Sequence, residues 1–152
     1  MRDEPVQFRM GNEADWPIVQ GFVLSLYNQD LLETVMTPER VQRTFQELRL
    51  RPEKGRIIVF ELDDQLVGYA ILIFFWSNEF GGDFVEVDEL FVAKEYRSRG
   101  IGAAFFRWLE TEFRGKAVAL GLQVALANDR AFEFYQRMGF DLSPDRHLWK
   151  PL

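Results

Sequence analysis

Residues 84–103 read FVEVDELFVAKEYRSRGIGA, and this stretch decides how the rest of the chain is arranged. Its first part, Phe84–Val92, is rich in β-branched and aromatic residues and predicts a strand. Two glycines, Gly100 and Gly102, follow a short basic segment. A helical apolar pattern covers Gly100–Phe113. The stretch therefore predicts a strand, a glycine-containing turn and a helix in succession.

The flanking segments predict an α/β fold built on one mixed sheet. The apolar run Ala117–Ala125 predicts a strand parallel to Phe84–Val92, because a helix connects the two. Ahead of them, Arg56–Leu62 and Gln65–Trp76 flank Asp63-Asp64 and predict an antiparallel hairpin. The remaining predicted elements are a strand at Val6–Arg9, a helix after Asn12, a helix from the Thr37 cap to about Leu50, a helix at Asp129–Met138, and a last strand or strand pair from Phe140 to near Trp149. The predicted order is β-α-α-β-β-β-α-β-α-β, with helices on both faces.

Length and composition indicate one domain over 1–152 and exclude several functional classes. The chain has 152 residues and a net charge of −6, and no basic stripe favours a nucleic-acid partner. It has no cysteine, which excludes disulfides, zinc–thiolate sites and a cysteine nucleophile. The single histidine, His147, cannot build a multi-histidine metal site, so we expect it to be structural and expect no metal.

Localisation and assembly follow from the apolar residues. The longest apolar run, Leu66–Trp76, is far shorter than the roughly 20 residues of a spanning helix. The N-terminal residues lack the pattern of a signal peptide. We therefore expect a cytoplasmic protein that does not contact a membrane. Aromatic residues make up 15% of the chain, which favours an aromatic cleft or a homodimer interface.

The glycine turn at 97–102 predicts an anion site. Glycines let backbone N–H groups approach a ligand closely, and a helix N-terminus attracts negative charge. Arg97 and Arg99 add positive charge beside it. A plain turn is the alternative interpretation. Phe105 stands where a dinucleotide-binding turn has its third glycine, and no P-loop pattern is present.

Two motifs together resemble the GNAT superfamily of N-acetyltransferases. RSRGIG at 97–102 resembles the acetyl-coenzyme A signature Arg-x-x-Gly-x-Gly of that family. NDRAFEFYQRMGF at 128–140 resembles its second conserved segment. The motifs have the order and spacing that the family expects, and the element order agrees over essentially the whole chain. A shorter stretch, DELFV at 88–92, is similar to the spermidine/spermine (diamine) acetyltransferases.

The resemblance implies acetyl-coenzyme A as co-substrate and a set of residues that bind it. Backbone amides of the glycine turn would bind the pyrophosphate, and the strand end would pair with the pantetheine arm as an added strand. The implied residues are Leu90, Phe91, Val92, Arg97, Ser98, Arg99, Gly100, Ile101, Gly102, Ala103, Asn128 and Tyr135. Asn128 also suits a helix N-cap. The family pattern makes Tyr135 the general acid for the departing thiolate, whereas the residues alone favour aromatic packing.

Three carboxylates lie on the strand before the glycine turn: Glu86, Asp88 and Glu89. Strict alternation places Glu86 and Asp88 on the face of Leu90, and Glu89 on the opposite face. Buried carboxylates need partners or a solvated groove, so ion pairs are one interpretation. The functional interpretation is that one of them deprotonates an ammonium substrate. Asp88 is the first candidate for this base and Glu86 the second. A bulge would change these faces.

The acceptor is expected to be a small, cationic primary amine that attacks the thioester directly in a ternary complex. The residues expected to bind it are Tyr27, Asp30, Trp76, Glu79 and Glu89. Alternatives are an amino acid, antibiotic or peptide amine as acceptor, a non-catalytic coenzyme A-binding module, and a nucleotide-binding regulator.

Overall fold

The computed structural model describes residues 5–29 and 35–152. The strands are β1 (Gln7–Met10), β2 (Gly55–Leu62), β3 (Gln65–Ser77), β4 (Gly82–Val92) and β5 (Ala119–Leu122). The helices are α1 (Trp16–Gln29), α2 (Pro38–Leu50), α3 (Ile101–Phe113) and α4 (Asp129–Arg137). The described strands form one mixed sheet in the order β1-β2-β3-β4-β5. The pairs up to β4 are antiparallel and β4–β5 is parallel, as the helical crossover predicts.

Helices cover both faces of this sheet and bury a core on each. On one face, α3 packs Phe105, Phe106 and Leu109 onto apolar residues of β2, β3 and β4. On the other face, α1 and α2 pack Val19 and Phe45, among others, against a second set from the same strands. Two-sided burial explains why β2 and β3 are almost continuously apolar. The mixed α/β fold predicted from the sequence is confirmed.

The helix starts follow the predicted capping chemistry. Thr37 Oγ1 accepts a hydrogen bond from the N–H of Arg40 at 3.3 Å, and Pro38 occupies the first helical position of α2. Asn12 caps a 3-10 turn that leads into α1, with its Oδ1 accepting from the N–H of Ala14 at 2.9 Å. None of the helices in the described ranges has both the length and the apolar character to cross a membrane.

The C-terminal part of the chain differs from the prediction. Residues 140–152 contain no strand, so the last strand or strand pair expected up to Trp149 is wrong. Ser143 Oγ accepts from the N–H of Asp145 at 3.2 Å, a local turn that competes with strand pairing. Pro144 also lacks the N–H that a strand ladder needs. β5 is shorter than the predicted Ala117–Ala125, and this opens the sheet beside β4.

Candidate active site

A cleft opens where β4 and β5 separate. Their pairing runs only from Phe84↔Ala119 to Val87↔Leu122, whereas β4 continues to Val92. Beyond this point the backbone of β4 has β3 on one side and the cleft on the other. The cleft therefore borders an unpaired stretch of strand edge, which can accept an extended ligand as an added strand.

The structure brings nearly all of the expected co-substrate residues to this cleft. Those lining it are Leu90, Phe91, Val92, Arg97, Ser98, Gly100, Ile101, Gly102, Ala103, Asn128 and Tyr135. Arg99 is not among the lining residues; its guanidinium lies over the ring of Tyr96, 5.2 Å from the centroid.

The N-terminus of α3 forms one end of the cleft. Gly100, the N-cap, has φ 77°, a left-handed conformation that favours glycine, and no side chain caps the helix. The first N–H groups of an α-helix have no partner within the helix, so the amides of Ile101, Gly102 and Ala103 remain available at the cleft. Unpaired amides and the helix dipole suit an anion such as a pyrophosphate.

Basic side chains from two elements surround this helix end. Arg97 Nε donates to the carbonyl of Val92 at 2.8 Å, and its guanidinium lies over Phe91 at 5.5 Å. Arg97 thereby ties the glycine turn to the end of β4. Arg130 of α4 lies across the cleft, 3.4 Å from Ser98 Oγ. Sequence analysis missed Arg130, although its place two residues after Asn128 on the same helix start was a usable signal.

Helix α4 supplies the wall that faces the strand edge. Asn128 Oδ1 accepts from the N–H of Ala131 at 3.2 Å, which confirms its predicted role as a cap. The ring of Tyr135 packs against Phe106 and Phe140, with centroids 5.7 and 6.1 Å away. These contacts hold the ring at the cleft wall.

A β-bulge in β4 rearranges the carboxylates. Ile71 pairs with Glu89 and the next residue, Leu72, pairs with Val87, so Asp88 is the extra residue. After the bulge, Leu90 packs on the α3 side of the sheet, whereas Phe91 packs on the α1 side.

The face predicted for Glu86 is therefore wrong, whereas Glu89 lies opposite Leu90 as predicted. Val85 and Val87 pack on the α3 side, which leaves Glu86 on the α1 side. Glu89 is also on the α1 side, where it meets tyrosines of α1 and β3. Glu86 and Glu89 thus share a face, and neither shares it with Leu90.

Glu89 is the carboxylate of the cleft that accepts hydrogen bonds from two tyrosines. Tyr69 donates its O–H to Glu89 Oε1 at 2.7 Å, and Tyr27 donates to Glu89 Oε2 at 3.0 Å. Burial raises the pKa of Glu89, although the two tyrosine donors oppose that shift. Burial and the charge of Glu89 also raise the pKa of both tyrosines far above their usual range. Both hydroxyls therefore stay protonated at neutral pH.

The two candidate bases occupy different positions. Asp88 is exposed at the cleft, and partial burial of its carboxyl raises its pKa. Glu86 is half-buried beside β5, where its Oε2 would lie 2.7 Å from a Cβ added to Gly121. Burial, and next the charge of Asp88, raise the pKa of Glu86. Of the two, Asp88 is the one that lines the cleft.

The expected acceptor-binding residues do not all meet. Tyr27 and Glu89 line the cleft together. Trp76, near the end of β3, and Glu79, in the turn before β4, do not line it. A strand rises about 3.3 Å per residue, so most of the length of β4 separates that turn from the glycine turn. Asp30 lies outside the described residues.

Sequence analysis also missed Tyr69, which is fully buried on β3. It pairs across the hairpin with Phe91, and its hydroxyl reaches Glu89. Its place in the strand preceding the acidic strand was a signal, but the register that brings the two side chains together depends on the bulge.

Comparison with known proteins identifies the family. The model described as the acetyltransferase (GNAT) family matches residues 22–140. The uncharacterized N-acetyltransferase YesJ of Bacillus subtilis is 24% identical over 98 residues, which cover 59% of this chain and 54% of that protein. The uncharacterized N-acetyltransferase MJ1207 of Methanocaldococcus jannaschii is 35% identical over 100 residues, which cover 64% and 43%. The chain spans about half the length of the curated relatives it matches.

Solved structures share the fold over nearly the whole chain. A possible acetyltransferase from Clostridium difficile 630 has a TM-score of 0.84 at 20% identity, covering 98% of this chain and 99% of that one. The integron cassette protein HFX_CASS3, from the mobile metagenome of Cole Harbour Salt Marsh, has a TM-score of 0.82 at 26% identity, with coverage of 96% and 90%. The family match, which takes in both motifs and the cleft, shows that the chain belongs to the acetyltransferase (GNAT) family.

Proposed function

We propose that this protein transfers the acetyl group of acetyl-coenzyme A to the primary amine of a small cationic acceptor. One observation carries the proposal: a single cleft connects the anion-binding start of α3 to the carboxylates at the bulge of β4. An anionic cofactor and a cationic acceptor can therefore approach each other from opposite ends.

The cleft fits the co-substrate in two ways. The free amides at the start of α3, with Arg97 and Arg130 beside them, suit the pyrophosphate. The unpaired edge over 88–92 suits the amide-bearing pantetheine arm, which can hydrogen-bond to strand backbone. The thioester would then lie between the bulge and α4.

Asp88 and Tyr135 are the proposed acid–base pair. Asp88 takes a proton from the ammonium, and the free amine nitrogen forms the new bond to the thioester carbonyl carbon. As the tetrahedral intermediate collapses, the carbon–sulfur bond breaks and Tyr135 gives its proton to the departing thiolate, while the second proton lost by the amine nitrogen restores the Tyr135 hydroxyl. The chain contains no cysteine, so an acetyl-cysteine intermediate cannot form and attack within a ternary complex is the simplest route.

Charge supports a cationic acceptor. Asp88 and Glu89 both line the cleft, and ion pairing favours an acceptor that keeps a second positive charge while one amine reacts. The similarity of residues 88–92 to diamine acetyltransferases points the same way. Diamines, polyamines or lysine-like amines are therefore the proposed acceptors.

An amine screen with thiol-release detection tests this function. We expect kcat/KM for 1,4-diaminobutane to exceed that for an amino acid with a free carboxylate by about 10-fold or more, since one charged hydrogen bond is worth about that much. A preference for the carboxylate-bearing amine would contradict the cationic acceptor. Acetyl-coenzyme A binding without turnover of any amine would instead support a non-catalytic binding module.

We further propose that the protein acts as a homodimer in the cytoplasm. Phe75, Trp76 and Phe80 are exposed around the β3–β4 turn, and the Phe75 ring stacks on Phe84 with centroids 4.8 Å apart. Clustered exposed aromatics are typical of protein interfaces. Sedimentation equilibrium of the wild type and of Trp76→Ser checks this, because the variant should be monomeric at concentrations where the wild type is dimeric.

A further inference from the structure

We propose that Tyr27 selects primary ammonium groups, because its hydroxyl proton is committed to Glu89 and its oxygen faces the acceptor as a hydrogen-bond acceptor only. Tyr69 is the positioning residue that holds Glu89 in place for this purpose. The inference rests on the proposed function, since it specifies how the acceptor end of the same cleft recognises its amine.

The direction of the hydrogen bonds follows from donor counting. A tyrosine hydroxyl has one proton and two acceptor sites, whereas an ionised carboxylate can only accept. Tyr27 donates its hydroxyl proton to Glu89 Oε2 at 3.0 Å. Its oxygen therefore has acceptor capacity left and no proton to offer. Tyr27 is half-buried and lines the cleft, where that oxygen can meet an N–H group.

Tyr69 makes this arrangement rigid. It is fully buried and donates to the other oxygen of Glu89 at 2.7 Å, so the carboxylate is held at both ends. The Tyr69 ring lies beside Phe22 and Phe91, with centroids 6.5 and 6.1 Å away. Because Tyr69 does not line the cleft, it acts on the acceptor only through Glu89 and Tyr27.

Tyr27 and Asp88 together offer two hydrogen-bond acceptors to a primary ammonium. Such a group has three N–H donors, of which one can go to Tyr27 Oη and one to the Asp88 carboxylate, its proposed proton acceptor. The charge of Asp88 acts on both Tyr27 and Glu89, which places these groups in one electrostatic cluster. A tertiary ammonium has one N–H and cannot satisfy both acceptors.

The test measures binding of two diamines to the protein–coenzyme A complex by calorimetry. The probes are 1,4-diaminobutane and its N,N,N′,N′-tetramethyl analogue. We expect the wild type to bind the primary diamine about 10-fold to 100-fold more tightly, the range for a hydrogen bond to a charged group. In Tyr27→Phe the preference should fall to within a few-fold, while the affinity for coenzyme A stays unchanged.

The reverse result would overturn the inference. Equal or tighter binding of the tetramethyl analogue by the wild type would mean that the tyrosine ring recognises the cation by a cation–π contact, and not the oxygen. A preference retained in Tyr27→Phe would also overturn it. Both readouts measure binding, so they remain decisive if no amine is turned over, which would instead contradict the proposed function.

A second pair of variants tests the positioning role. Tyr69→Phe removes one of the donors that lower the pKa of Glu89, so Glu89 should take up a proton at higher pH. A protonated Glu89 can donate to Tyr27 and turn the Tyr27 proton toward the cleft. Tyr27 from α1, Tyr69 from β3 and Asp88 from β4 are the titratable groups acting on Glu89.

We therefore expect the pH below which the primary diamine binds weakly to be higher in Tyr69→Phe than in the wild type. Glu89→Gln should show weak binding at every pH, because its amide can donate to Tyr27 permanently. A Tyr69→Phe profile that matches the wild type would show that Tyr69 only fills the core.

Discussion

Some residues of this cleft have one part that packs into the fold and one reactive group that faces the cleft. Tyr135 is an example, because Phe106 and Phe140 surround its ring while the residue lines the cleft. Packing and chemistry can therefore be separated by removing the hydroxyl alone.

Tyr135→Phe should retain the fold and the affinity for acetyl-coenzyme A but lower kcat by about 10²–10⁴-fold, the usual contribution of a general acid. The ring contacts with Phe106 and Phe140 survive in the variant, so it should still fold, which its thermal unfolding curve checks. Pre-steady-state measurement of thiol release isolates the chemical step. A normal rate there would show that water, and not Tyr135, protonates the thiolate.

Asp88→Asn should lower turnover and move the activity profile to higher pH. Burial raises the pKa of Asp88, so the wild-type carboxyl becomes a competent base only as the pH rises through that raised pKa. In the variant the amine has to lose its proton to water, which favours alkaline conditions. The measurement is kcat/KM for a diamine against pH in both proteins. An unchanged acidic limb would exclude Asp88 as the base.

Residue chemistry was more predictable from the sequence than residue contacts. The motifs at 97–102 and 128–140 indicated the residues that line the cleft at its glycine end, and nearly all of them do. The partners of Glu89 were not predictable, because Tyr27 and Tyr69 come from distant parts of the chain. Their meeting depends on a register that no local pattern encodes.

At the scale of elements, the bulge at Asp88 explains where prediction succeeded and failed. Helices and strands with strong caps or apolar runs, such as α2 and β3, were predicted to within a residue or two. Strict alternation failed in β4 because one extra residue exchanges the faces of all that follow. The prediction of a C-terminal strand failed because the local turn around Pro144 competes with the pairing of strands.

The start of α3 yields a test of the anion site. Gly102→Glu should reduce affinity for acetyl-coenzyme A by at least about 100-fold, because it places a carboxylate beside the unpaired amides. A Cβ there would lie 3.3 Å from Phe134 Cζ, so the Phe134 ring has to shift by a few tenths of an ångström, and the fold should be retained. Calorimetric titration with acetyl-coenzyme A gives the affinity.

Gly21→Glu is the matched control for this prediction. Gly21 is an exposed glycine of α1, and a Cβ there meets no atom within 4 Å. The control carries the same charge change within a helix, so it should bind acetyl-coenzyme A as the wild type does. Equal affinity in both variants would contradict the assignment of the glycine turn to the pyrophosphate.

At the scale of the whole molecule, carboxylates with raised pKa values and a carboxylate with a lowered pKa lie at different places in the fold. Burial raises the pKa of Glu86, Asp88 and Glu89 around the cleft. Asp15, which is 6% exposed, instead accepts hydrogen bonds from Arg9 at 2.8 and 3.1 Å. Those bonds, with one from the N–H of Asn12, lower the pKa of Asp15. The fold thus stabilises the charge of Asp15 and tolerates the charges of the three carboxylates around the cleft, as expected where function requires reactive groups.

Two carboxylate-to-amide changes should therefore shift stability in opposite directions. The pKa of Glu86 is raised in the folded state, so its ionisation costs stability as the pH rises through that value. Glu86→Gln removes this cost and should raise Tm at pH 7.5 by about 2–4 °C, the shift that about 1 kcal/mol produces in a domain of this size. The gain should vanish below about pH 4, where the unfolded chain also protonates its glutamates.

Asp15→Asn should have the opposite effect and pH dependence. Its lowered pKa contributes stability above about pH 4, the unfolded value, and that contribution is lost as the pH falls through the folded value. The variant should therefore lose about 1–3 kcal/mol at neutral pH, the range for hydrogen bonds to charged groups, and approach the wild type in acid. Thermal unfolding of both variants, measured at intervals of roughly one pH unit between about pH 3.5 and about pH 8, gives the two stability curves. If both variants were destabilised at pH 7.5, the burial of Glu86 would not carry a cost, and the cleft would not be a place where the fold trades stability for reactive carboxylates.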